Sequence, residues 1–171
     1  DRNLGATSAT PGEVGTLGLL YQWGRKDPFL GSSSISEAVE ALSTGVWTIA
    51  SNGSLYNAET NPMVYYKSML FPEGTWDSVK TVLDPCPAGW RVPTGGENGV
   101  WAKASANTDS FSHIYDTTTL GLDFSGIFGS DDVIFFPLSG HRDVSAKLQS
   151  VGSSCINWSC TTTYNTSVVV Y

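Results

Sequence analysis

One stretch limits what this chain can fold into more than any other: Asp84-Pro85-Cys86-Pro87-Ala88-Gly89-Trp90-Arg91-Val92-Pro93-Thr94. A proline fixes φ at about −65° and removes a backbone donor, so three prolines and a glycine this close together exclude a helix. The backbone here must be irregular and held by side chains. Cys86, set between two prolines beside Trp90, suits a structural disulfide, and Trp90 joins Trp23 and Trp158 as an expected core aromatic.

Around that block the elements are short. Thr16 is placed to cap a helix running through Leu17, Leu19, Leu20, Tyr21 and Trp23 to Gly24. Ser36 to Leu42 reads as a helical turn, and Thr94 as the cap of a helix within Glu97 to Ala106. Val46 to Ala50 has strand character and runs into the turn Ser51-Asn52-Gly53-Ser54. Met63 to Leu70 is apolar and aromatic, and Trp76 to Leu83 is a further short element. Asn107 to Thr119 is a polar loop. Val133 to Leu138 and Ser167 to Tyr171 are strands. The expectation is a single α+β domain over residues 1–171 with many loops. It opens mid-phrase, as a piece of a longer precursor would.

Composition narrows the function. The 171 residues are 40% hydrophobic and 12% aromatic, enough for a packed core, yet only 15% charged. Nine basic residues stand against sixteen acidic ones, for a net charge of −7. A basic nucleic-acid footprint is absent, and no apolar run approaches the roughly 20 residues that span a bilayer. A surface poor in charge and rich in Gly, Ser, Thr and aromatics suits an extracellular binding domain.

The chemical motifs are weak. Two His and three Cys lack zinc spacing, and Asp131-Asp132 has no ladder of oxygen ligands for calcium. Gly95-Gly96-Glu97-Asn98-Gly99 follows no βαβ strand, so it cradles no phosphate. Ser139, His141 and Asp143 alternate along one strand, but neighbouring strand side chains cannot converge on one reacting carbon. No enzyme, metal or cofactor is expected. Cys155 and Cys160 have opposite parity, so they could pair only across a bend. Ile156, Trp158 and Cys160 fall on the expected buried face. Cys155, Asn157, Ser159 and Thr161 fall on the exposed one, with Cys155 a free surface thiol or half of that pair.

Five blocks in order resemble a known family: Asp1-Arg2-Asn3-Leu4-Gly5-Ala6, Leu20-Tyr21-Gln22-Trp23-Gly24-Arg25, the Asp84 to Thr94 stretch, Phe136-Pro137-Leu138-Ser139-Gly140-His141-Arg142 and Asn157-Trp158-Ser159. Together they are similar to the Fibrobacter succinogenes major paralogous domain, found in surface lipoproteins and fimbrillin-like proteins of Bacteroidetes. The resemblance implies a C-type-lectin-like fold: a small, mixed, mostly antiparallel sheet with two helices and long loops. It implies a bacterial cell-surface setting on a lipoprotein or pilus. It also implies a last cysteine as the partner of Cys86, beyond Tyr171 with further strands that this chain lacks. Some relatives are diversified by retroelements in their C-terminal stretch. By that analogy Ser153, Ser154, Cys155, Asn157, Ser159, Thr161, Thr163, Tyr164 and Asn165, with Arg142 and Asp143, form an adaptable ligand-binding surface. The sugar-binding calcium motifs of animal lectins are absent.

The expected function is therefore adhesin-like binding of a protein or glycan. A pilus or envelope subunit assembling with other subunits through donated strands is the alternative. Formylglycine-generating enzymes share the lectin-like architecture, but they need activated cysteines. Neither Cys155 nor Cys160 has a basic neighbour within five residues.

Overall fold

A computed structural model describes residues 2–35, 48–54, 63–70, 75–97, 99, 114–123, 135–161 and 168–170. Its regular elements are short strands. β1 (Thr48–Ser54) runs parallel to β2 (Val64–Leu70), with Thr48 opposite Val64. β3 (Ile114–Asp116), β4 (Gly121–Asp123) and β5 (Phe135–Pro137) form an antiparallel meander. β6 (His141–Arg142) pairs with β7 (Leu148–Gln149), and β8 (Ile156–Trp158) with β9 (Val168–Val170), both antiparallel.

The α+β, two-helix, lectin-like expectation fails. Among the described residues no helix reaches seven residues, and the single helical element is the 3-10 turn Val14–Thr16. The architecture is mainly β and irregular. The helix expected after Thr16 gives way to extended chain, and the reasons are local. Gly18 takes φ +70°, outside the helical region, and a Cβ there would lie 2.7 Å from the Leu4 carbonyl oxygen. Thr16 does not cap forward; its hydroxyl donates back to the Glu13 carbonyl at 2.7 Å. The N-terminal segment then lies along this stretch, with Leu19 N–H donating to Leu4 O at 2.8 Å. Leu20 and Phe29 exchange both backbone hydrogen bonds. Gly18, the one glycine inside the expected helix, also lowers its propensity. The other helical readings, Ser36 to Leu42 and nearly all of Glu97 to Ala106, lie outside the described residues.

The strand readings fare better. The Val46 to Ala50 run lies in β1 from Thr48 on, although the turn expected at Ser51 to Ser54 continues as strand. The strands expected at Val133 to Leu138 and Ser167 to Tyr171 contain β5 and β9, and the run Met63 to Leu70, expected only to be apolar and aromatic, contains β2. The loop reading of Asn107 to Thr119 misses β3. It finds the turn beyond, where Asp116 Oδ1 accepts the N–H groups of Thr118 and Thr119.

Among the described residues, three buried clusters carry the packing. Phe29, Tyr65 and Ala146 form one, with Phe29 and Tyr65 edge-to-face at 5.1 Å. Leu17, Leu148 and Val151 form the second. Trp76, Val92 and Cys160 form the third, flanked by Tyr21, Trp23, Cys86 and Trp158. Trp23 and Trp76 meet there in a tilted pair 5.7 Å apart. Trp23 and Trp158 are half-buried and pack against this cluster, whereas Trp90 is 68% exposed. It sits at the tip of the turn that Gly89 closes with φ +84°, where its N–H donates to Pro87 O.

Candidate functional site

Two buried charges organise the walls. Arg25 is 1% exposed, and its guanidinium is held on every side. It donates to both carboxylate oxygens of Asp27, to Gln22 Oε1 at 2.9 Å and to the Val64 carbonyl at 2.7 Å. Its plane lies 4.9 Å from the Phe29 ring centroid. This fork ties the Leu20 to Phe29 segment to β2, which a lysine could not do with a single ammonium. Gln22 adds a second tie, donating to Tyr66 O at 2.6 Å.

Asp84 plays the matching part in the proline-rich block. Its carboxylate accepts Cys86 N–H and Val92 N–H, each at 2.8 Å, and Lys80 Nζ at 2.9 Å. Burial pushes its pKa up, but those donors outweigh burial and leave it below its ordinary 3.8. A segment that cannot make ladder hydrogen bonds is thus folded around one carboxylate.

Between these walls lies a cleft of about 720 Å³. It draws on the N-terminal segment, the Leu19 to Trp23 stretch, β2, Pro85-Cys86, Val92-Pro93, the Ser139 to Val144 segment and β8. The volume falls within the range of small-molecule clefts, roughly 300–1,000 Å³. Tyr21, Trp23, Tyr66, Trp76 and Trp158 give it an aromatic lining. The indole donors are already spent on backbone carbonyls: Trp23 on Ser159 O, Trp76 on Leu83 O and Trp158 on Tyr21 O. These rings therefore offer the cleft carbon surface.

The sequence-predicted site residues divide. Asn157, Arg142 and Asp143 line the cleft, together with Trp23, Cys86 and Trp158. Arg142 and Asp143 are largely engaged in holding the wall. Arg142 donates to Leu30 O at 2.7 Å and Ala146 O at 2.7 Å. Asp143 accepts Ser145 N–H at 2.7 Å and Lys147 N–H at 3.0 Å, closing the β6–β7 turn. Desolvation raises the Asp143 pKa, but these N–H donors prevail and hold it below its ordinary value. Asn157 donates weakly to Cys155 Sγ at 3.6 Å.

The remaining predicted residues do not join them. Ser153 is exposed, and Ser154 is half-buried in a turn on Ser150 O. Cys155 is 1% exposed and sits in a parallel bridge with Gly140, so it is no surface thiol. Ser159 is buried, with its carbonyl on Trp23. Thr161 accepts Gly95 N–H at 2.9 Å. Thr163, Tyr164 and Asn165 lie outside the described residues. The expected alternation of buried and exposed faces is absent even over β8, where Ile156, Asn157 and Trp158 are all half-buried and all line the cleft. Cys155 precedes the strand, and Ser159 and Cys160 follow it where the chain leaves the ladder, with Cys160 N–H on Pro93 O.

All three cysteines are free thiols, so Cys155 and Cys160 are not paired with each other; the partner expected for Cys86 lies outside this sequence. Burial, then the Asp84 charge, pushes Cys86 up to about 11, and burial pushes Cys155 up to about 11. Neither ionises near neutral pH, the reverse of what a thiol nucleophile needs. Among the described residues no group of three His, Cys, Asp or Glu side chains could hold a metal ion. No helix there is long and apolar enough to cross a membrane.

Sequence reasoning missed Arg25, Asp84, Gln22 and Tyr65, which set the walls. Their signal was faint: polar residues inside otherwise aromatic or proline-rich stretches.

No family model, curated protein or solved structure matches the chain. The site must be read from its own geometry.

Proposed function

We propose that this chain is a non-enzymatic, adhesin-like binding module of a bacterial cell surface, and that its ligand, a glycan or a protein segment, enters the aromatic cleft beside β8. The observation that carries this reading is the cleft's construction. Distant parts of the chain meet there around aromatic carbon surface, and most of the polar groups on its walls are already bound to backbone. Neutral groups remain for a ligand: among the described residues the Tyr21 hydroxyl and the Asn157 amide oxygen are two of the lining groups that make no hydrogen bond. Burial and the nearby Cys86 raise the Tyr21 pKa, so the hydroxyl stays a neutral donor at physiological pH. An apolar surface with a few placed polar groups is the usual make-up of a recognition site.

Surface setting and kinship with the Fibrobacter succinogenes paralogous domains belong to the same proposal, resting on the five sequence blocks and on composition. The ligand contacts centre on Asn157 and the aromatic lining rather than on Ser153 and Ser154. Binding of the full chain to arrays of host and bacterial glycans and surface proteins tests this, run beside Asn157→Ala. A ligand weakened by the variant at unchanged melting temperature supports the reading. Self-association with no ligand favours a structural subunit instead.

A further inference from the structure

The charges around the cleft are unlike those of the chain as a whole. The sequence carries sixteen acidic residues against nine basic. Among the described residues, however, Arg2, Lys67 and Arg142 line the cleft against the single acid Asp143. Arg142 donates to carbonyl oxygens and Asp143 accepts backbone N–H groups. Lys67 lies on β2 next to Tyr66 and is exposed, and among the described residues its side chain makes no ion pair or hydrogen bond. A cationic side chain at the mouth of this aromatic cleft favours an anion there over the acidic surface of the chain as a whole.

The rest of the lining says what kind of anion fits. Indole carbon surface, with its N–H groups already spent, suits a flat face of C–H groups. The Tyr21 hydroxyl and Asn157 amide oxygen suit neutral hydroxyls, one donating and one accepting. An extended peptide would instead seek a strand edge, and an acidic peptide is therefore a probe in the test below.

We propose that the cleft takes a saccharide bearing a carboxylate, with the sugar ring against the tryptophan and tyrosine wall and the acid group at Lys67. This rests on the reading of the cleft as the ligand site.

The test uses matched pairs on the full chain: trigalacturonic acid and its methyl ester, then sialyllactose and lactose. Binding is read by tryptophan fluorescence and by the indole N–H signals of Trp23 and Trp158. An acidic peptide of six glutamates is the third probe. An exposed Lys–carboxylate contact is worth a modest preference, about fivefold at low ionic strength and shrinking as salt rises. That preference should vanish in Lys67→Gln and survive in Lys67→Arg, with both variants melting as the parent does. Equal affinity for the acid and its neutral partner overturns the proposal while leaving the cleft reading intact. Tighter binding of the glutamate peptide at the same indoles overturns the saccharide class in favour of an acidic protein partner. If no saccharide moves either indole, the proposal fails; if the array ligand also ignores the cleft variants, the cleft reading fails with it.

Discussion

Removing the Asp84 carboxylate should unravel the proline-rich block, and the cost follows from its partners. Asp84 is 2% exposed and Val92 is buried beside it. In Asp84→Ala the Val92 N–H keeps its burial and loses its acceptor, a penalty of about 1–3 kcal/mol. Cys86 is only half-buried, so its N–H can recover part of its bonding from water, at a cost of about 1 kcal/mol. Lys80 is partly exposed and rehydrates, losing about 0.5 kcal/mol. The total is about 3 kcal/mol, which for a domain of this size lowers Tm by roughly 6–12 °C. Thermal unfolding followed by near-ultraviolet circular dichroism reads this directly, because Trp76 and Trp23 pack on the same cluster. Acid adds a second signature. The native carboxyl sits below its ordinary 3.8, so its stabilisation is complete above that value and is lost as pH falls through the native pKa. The parent should therefore lose stability below about pH 4 more steeply than Asp84→Ala. A Tm within about 2 °C of the parent, or identical acid profiles, would refute the view that this carboxylate organises the block.

Other outcomes follow from the same packing. Arg25→Met should cost about 3–5 kcal/mol, since it strands Asp27, Gln22 and Val64 O without their donor, and denaturant unfolding will measure it. Trp76→Ala should cost about 3–5 kcal/mol while Trp90→Ala stays within about 0.5 kcal/mol, a contrast that checks which tryptophan belongs to the core. Iodoacetamide at pH 8 should modify Cys86 and Cys155 slowly in the native protein and rapidly after denaturation. With native thiols near 11 against an ordinary 9.0, stability should also decline as pH rises from 9 toward 11, because the unfolded chain gives up its thiol protons first. Fast native labelling at pH 8 would contradict the burial of both thiols.

β5 and β9 were legible as strands, and β2 as an apolar run, because these stretches are apolar or aromatic and bounded by turn-formers. The Leu17 to Trp23 stretch was misread because its apolar spacing fits a helix. What decides against the helix is the N-terminal segment laid across Gly18, a contact that helical spacing cannot reveal. Trp90 was misplaced for a related reason. A tryptophan between Gly89 and Arg91 reads as an anchor, but the turn that the block requires points it outward while Trp76 fills the space. For the site, Asn157, Trp158, Trp23 and Cys86 were legible as polar and aromatic residues in distinctive contexts. The polar residues that build the walls, Arg25 and Asp84, were not, since nothing local marks a charge that will be buried by partners up to 39 positions away.

The central claim is that ligand enters the aromatic cleft beside β8. Its most direct test is a nuclear magnetic resonance footprint of the first ligand the arrays yield, on the full chain labelled at its indole nitrogens. The account predicts that Trp23 and Trp158 shift or broaden on titration and that the exposed Trp90 does not. A footprint confined to Trp90, with the cleft tryptophans unmoved at saturation, would contradict it.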